Sequence, residues 1–128
     1  MTLASDTKSI DSAANKPADT LPAGATGVLT VDLDAIVANW RKLGSQAIPA
    51  DCAAVVKADA YGCGITQVSR ALAKAGCRTF FVATLDEARA VRDVTPTSAI
   101  YVLDGFFPGS GDLYAKFDCR PVIGVAVR

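Results

Sequence analysis

The chain has 128 residues, 51% of them apolar and 20% charged, and its 13 basic residues are balanced by 13 acidic ones. That is enough for one domain with a real core and too little for two ordinary ones. A formal charge of zero supplies no basic field for a nucleic acid, and no apolar run approaches the roughly 18 residues a membrane helix needs. Histidine is absent, which excludes Ser-His-Asp and Cys-His catalysis and His-ligated metal sites within this chain. Cys52, Cys63, Cys77 and Cys119 lack the spacing of a zinc knuckle. Read as free thiols, with Cys52 and Cys77 as small buried hydrophobes, they imply a reducing, cytoplasmic compartment.

Residues 1–26 are rich in Ser, Thr, Ala, Asp and Pro, and read as a flexible arm that cannot offset its ordering entropy. Gly27–Leu33 alternates apolar and polar residues as a strand does. Asp34 reads as the N-cap of a helix bearing Ile36, Val37, Trp40 and Leu43 on one face, with Gly44 as its stop. Trp40 is then a core residue. Cys52–Ala58 suits a strand buried on both faces. A second helix runs from Ile65 to Gly76, followed by a strand at Thr79–Thr84. Leu85–Val94 is a helix with Asp86 and Glu87 in its first turn, where the macrodipole favours them. Ala99–Leu103 is another strand, Asp112–Phe117 a helical turn or two, and Pro121–Val125 a last strand. Lys42, Arg70, Lys74, Arg89 and Arg92 fall on polar helix faces and read as solvated charges. Asp32 and Asp34 read as helix caps in preference to a metal pair. The loop Gly105–Gly109 promises exposed aromatics at Phe106 and Phe107.

Strand and helix therefore alternate with short connections, the pattern of a parallel sheet in an α/β fold. Pattern alone leaves an open sheet and a barrel equally possible. A complete (β/α)8 barrel takes roughly 250 residues, so residues 27–128 amount to about half of one.

One segment stands out chemically: Val55-Val56-Lys57-Ala58-Asp59-Ala60-Tyr61-Gly62-Cys63-Gly64. Its lysine falls at the C-terminal end of a parallel strand, the edge where α/β active sites gather. A lysine amine there can form a Schiff base. Tyr61 adds a hydroxyl, and Gly62 and Gly64 allow unusual dihedrals or close approach to a ligand. Against this stands the plain reading of a snorkelling lysine followed by a glycine turn.

The same segment, VVKADAYGCG, resembles the VVKANAYGHG signature of the alanine racemases, which use pyridoxal 5′-phosphate (PLP). Residues 31–43, Leu85–Arg92 and Ile100–Gly109 also resemble stretches of that family, and the likeness covers residues 27–123. The resemblance implies a partial (β/α)8 TIM barrel of the fold-type III PLP enzymes, with about four to five βα units in residues 27–128. It implies PLP held by Lys57 through a Schiff base, with the same amine acting as one of two acid–base groups. It assigns the Tyr61 hydroxyl to the cofactor phosphate. The implied reaction is the interconversion of L-alanine and D-alanine, in a cytoplasmic homodimer, with no nucleic acid, membrane or metal involved. Cys63 stands where the family usually has histidine, and Asp59 replaces a common asparagine. The family's second base, a tyrosine of the partner subunit's C-terminal domain, has no counterpart in this chain.

Two other readings compete. The chain could be a catalytically inactive PLP-binding or interaction module. It could also be a flavodoxin-like binding domain, which requires helices on both sheet faces and a reversal of strand order.

Overall fold

The computed structural model describes residues 23–124. Contacts divide the chain into Met1–Asp32 and Leu33–Arg128. Most of the expected N-terminal arm lies outside the described residues. Within 23–32 the chain makes a turn and then runs without any ladder. The expected strand at Gly27–Leu33 is thus not formed among the described residues. Alternation favours extended backbone, but a strand exists only when its N–H and C=O groups find a neighbour.

The second unit opens with helix α1 (Leu33–Ala47). Asp34 sits inside its first turn and is not the cap. Gly44 does not end the helix either. A glycine weakens a helix by about 1 kcal/mol but stops it only where the backbone turns left-handed. Leu33, Ile36, Val37 and Trp40 pack against the core, while Leu43 stands largely exposed. Trp40 is half-buried, and its indole N–H donates to the Cys52 carbonyl at 3.0 Å.

Strand β1 (Ala54–Val55) is shorter than the expected Cys52–Ala58, because the chain coils into a short turn, α2 (Lys57–Tyr61). Helix α3 (Ile65–Lys74), strand β2 (Thr79–Val82) and helix α4 (Leu85–Val94) follow. Strand β3 (Ala99–Val102), helix α5 (Gly111–Lys116) and strand β4 (Arg120–Pro121) complete the described elements. The last strand was expected at Pro121–Val125. It pairs earlier, with Tyr101 opposite Arg120 and Val102 opposite Pro121. Proline suits this place because β4 is an outer strand of the sheet.

All pairs are parallel, and the spatial order β1-β2-β3-β4 follows the chain. Right-handed crossovers in an unreversed order put every connecting helix on the same side of the sheet. The burial pattern agrees. Phe80, Val82, Ile100 and Val102 are sealed beneath Val68 and Leu72 of α3 and Ala88 and Val91 of α4. Phe81 and Tyr101, on the opposite face, are only half-buried. The described strands show no reversal of order, so the flavodoxin-like reading fails.

Two expectations about polar and thiol groups change. Cys77 and Cys119 are buried, but Cys52 is only half-buried. Burial pushes the Cys77 and Cys119 thiols above the ordinary value of 9.0, so both stay neutral in the fold. Arg92 is not an ordinary solvated charge. Its guanidinium donates to the carbonyls of Phe117, Asp118, Thr95 and Pro96 at 2.6 to 3.0 Å, tying the end of α4 to the turn before β4. The planar five-donor fork makes such a junction possible.

Candidate functional site

Lys57 follows β1 closely. Ala54 and Val55 pair with Phe80 and Phe81, and the Val56 N–H donates to the Phe81 carbonyl at 2.9 Å. Val56, at φ −122° and ψ 19°, already leaves extended backbone, and Lys57 opens α2 two positions beyond the last ladder residue, Val55. Lys57 is half-buried. Sequence reading and structure agree on its place at the C-terminal edge of the sheet.

The next four residues do something unusual. Ala58, Asp59, Ala60 and Tyr61 all have positive φ, between 52° and 55°. They make a left-handed helical turn, where each L-residue is disfavoured by roughly 1–2 kcal/mol. Gly62 (φ 84°) and Gly64 (φ 90°) continue it without that penalty. Such strain persists only where the surroundings fix it, and it gathers at functional sites.

The fixing contacts are explicit. Within the turn, the Ala60 N–H donates to the Val56 carbonyl at 2.9 Å and the Gly64 N–H to the Asp59 carbonyl at 2.9 Å. The Asp59 carboxylate accepts the Ile65 N–H at 2.8 Å and so ties the turn to the start of α3. Ala60 is buried in the core. From the other side, Glu87 of α4 accepts the Ala58 N–H at 2.7 Å. Its second carboxylate oxygen accepts the Ala83 N–H at 2.7 Å, at the end of β2, and the Thr84 N–H at 3.3 Å.

Tyr61 ends the left-handed turn and is 64% exposed. Its hydroxyl therefore stands at the surface of the described chain, four residues beyond the Lys57 amine. Cys63 is half-buried. Asp32 and Asp34 belong to no group of potential metal ligands, and none occurs among the described residues. No described helix is long and apolar enough to cross a membrane. Phe106 and Phe107 are exposed as expected, with Phe106 tilted against Tyr114 at 5.7 Å between ring centroids.

Two features escaped sequence reading. Glu87 was legible only as a first-turn acid, although Thr84-x-x-Glu87 is a capping-box pattern and the box is formed. The row across the open sheet face was not legible at all. Phe81 stacks on Tyr101 with centroids 5.1 Å apart, and the Arg120 guanidinium lies 5.5 Å over the Tyr101 ring and donates to its hydroxyl at 3.1 Å. These three pair across β2, β3 and β4, which no single segment of sequence reveals.

Comparison with known proteins places this arrangement. The family model described as "Alanine racemase, N-terminal domain" matches residues 31–126. The chain belongs to the alanine racemase family. The alanine racemase of Methylobacterium nodulans is 59% identical over 96 residues, which are 75% of this chain and 26% of that protein. The alanine racemase of Rhizobium meliloti is 43% identical over 99 residues, 77% of this chain and 26% of that protein. Among solved structures, the Bartonella henselae alanine racemase with covalently bound pyridoxal phosphate matches with a TM-score of 0.68 at 43% identity, over 71% of this chain and 26% of that one. The alanine racemase from E. faecalis matches with a TM-score of 0.65 at 32% identity, over 74% and 26% of the two chains. This chain thus spans about a quarter of the length of the alanine racemases it matches. Its four parallel strands and outer helices form part of an α/β barrel.

Proposed function

We propose that this chain carries the PLP-holding part of an alanine racemase, with Lys57 as the covalent attachment point and Tyr61 as a phosphate ligand. The observation that carries the reading is the placement of Lys57: just beyond the C-terminal end of β1 and ahead of a left-handed turn held from both sides. A backbone that strained is kept for a purpose, and a fixed amine at a strand end is one. The donor set fits the cofactor. A primary amine answers an aldehyde, and a phenol hydroxyl answers a phosphate oxygen. When bound, PLP supplies an electron sink for the negative charge left at an amino acid's α carbon.

The chain's own residues do the rest. The Lys57 amine takes and returns a proton on one face of the α carbon, the D-enantiomer face by the family resemblance. Tyr61 anchors the far end of the cofactor, so that the amine meets the reacting carbon in one orientation. Racemisation also needs a proton donor on the opposite face. No residue of this chain matches the family's group for that task. The proposed substrate is alanine and the proposed assembly a homodimer, in the cytoplasm, with residues 27–128 as the portion of the barrel domain present here. The 128-residue chain alone is expected to hold PLP without racemising alanine.

The experiment is chemical. The purified chain is incubated with PLP, reduced with borohydride and digested, and the pyridoxyl-labelled peptide is sequenced. The label is expected on Lys57 in preference to Lys8, Lys16, Lys42, Lys74 and Lys116, and Lys57→Arg should lose it. A label spread evenly over the lysines, or absent from Lys57, overturns the assignment. Normal alanine turnover by the 128-residue chain would refute the expectation that it is inactive alone.

A further inference from the structure

The Glu87 carboxylate has a duty beyond capping its own helix. Its two oxygens accept N–H groups from two segments of chain: Ala58, 29 residues earlier in the sequence, and Ala83 with Thr84, at the end of β2. The Ala58 N–H belongs to the peptide that follows Lys57, and Ala58 is the first residue of the left-handed turn. We propose that Glu87 is a positioning residue for Lys57: a carboxylate clamp that holds the strained turn against the end of β2 and so fixes where the amine stands. The assignment rests on the reading of Lys57 as the PLP-holding lysine.

The physical case has three parts. Hydrogen bonds to an ionised acceptor are the strong kind, and both 2.7 Å contacts are short enough to qualify. The turn needs outside support, since four consecutive L-residues occupy a disfavoured region. Finally, a simple cap would need only the reciprocal pair at the helix start. That pair is present, with the Glu87 N–H donating to Thr84 Oγ1 at 3.3 Å and the Thr84 N–H donating to Glu87 Oε2 at 3.3 Å. The shorter contacts to Ala58 and Ala83 are additional to it. Glutamine puts an NH2 donor where one of the two oxygens stands, so either the Ala58 N–H or the Ala83 N–H loses its acceptor. Aspartate keeps the charge but is one methylene shorter, and it cannot reach both segments.

Asp86 is the natural control. It lies in the same first turn of α4, carries the same charge and is exposed. Any effect of the macrodipole or of helix propensity should appear in Asp86→Asn as well.

The test compares the full chain with its Glu87→Gln, Glu87→Asp and Asp86→Asn variants by two readouts. The first is amide hydrogen exchange without cofactor. Exchange at Ala58 or Ala83 should speed up on the order of tenfold in both Glu87 variants, the scale expected for losing one charge-assisted bond. The amide of Val91, in the buried core, should keep its wild-type rate. The second readout is the yield of pyridoxyl label on Lys57 relative to the other lysines, which should fall severalfold in both Glu87 variants. Asp86→Asn should match wild type in both. Unchanged exchange at both Ala58 and Ala83, unchanged labelling of Lys57, or an equal response in Asp86→Asn overturns the clamp. So does uniform loss of protection across the chain in both Glu87 variants, because it would show a role in global folding. A wild-type chain without label on Lys57 refutes the cofactor reading instead, and the exchange comparison then decides the clamp by itself.

Discussion

The two faces of one sheet are built from neighbouring residues and behave as different materials. On the helix-covered face, Phe80, Val82 and Ile100 are 0% exposed. On the other, Val55 is 47% exposed and Arg120 is exposed beyond the half-buried Phe81–Tyr101 stack. The two sets alternate along the same strands, one residue apart. The first face holds the fold through apolar burial. The second carries the stacked and charged row of Phe81, Tyr101 and Arg120. The division shows that a parallel strand is not uniform: parity alone assigns each residue to the packed face or to the open one.

The sharpest way to break this comparison is to truncate adjacent phenylalanines. Phe80→Ala should cost about 3–5 kcal/mol of stability, the range for deleting a buried aromatic. Phe81→Ala removes one partner of an offset stack on the open face and should cost only about 1 kcal/mol. Denaturant titration of both variants measures the difference. Equal losses would mean that the open face is packed as tightly as the covered one, and the division would be wrong.

A smaller effect tests the rim of the covered face. Arg92→Ala should lose about 2 kcal/mol, since its guanidinium serves four carbonyls that have few other donors. Arg92→Lys should recover little of this, because an ammonium cannot span the same fork. The effect should hardly depend on salt. Its ion-pair partner Asp118 lies 3.7 Å away and is 92% exposed, and such pairs contribute little. Full rescue by lysine would show that charge matters here and not geometry.

How far the sequence was legible follows from the range of each interaction. Helices α3 and α4 and strands β2 and β3 were readable because local periodicity and caps define them. Helix α4 was read at its observed bounds, Leu85–Val94. The ends of the sheet were not. β1 stops at Val55 because the chain turns left-handed after Val56, and β4 begins at Arg120 because its register is set by Tyr101. The position of Lys57 just after a strand was legible from the apolar run that precedes it. The left-handed turn was not, since Ala58, Asp59, Ala60 and Tyr61 are residues that normally avoid positive φ. Besides the bonds within the turn, contacts from Ile65, six residues beyond Asp59, and from Glu87, 29 residues beyond Ala58, hold them there. Arg92 was misread for the same reason: its carbonyl partners at Phe117 and Asp118 lie 25 and 26 residues away.

The smallest expected effect probes the covered face from within. Ser69, on α3, is 0% exposed, and its hydroxyl has no hydrogen-bond partner among the described residues. A buried hydroxyl without a partner gives up its hydration and gains nothing in return. Ser69→Ala should therefore be neutral or stabilise the fold by up to about 1 kcal/mol, whereas most core substitutions destabilise. If Ser69→Ala instead weakens the protein by more than about 1 kcal/mol, the hydroxyl is satisfied by a group that crosses the helix layer. The covered face would then be more than an apolar seal, and the contrast with the open face would rest on parity alone.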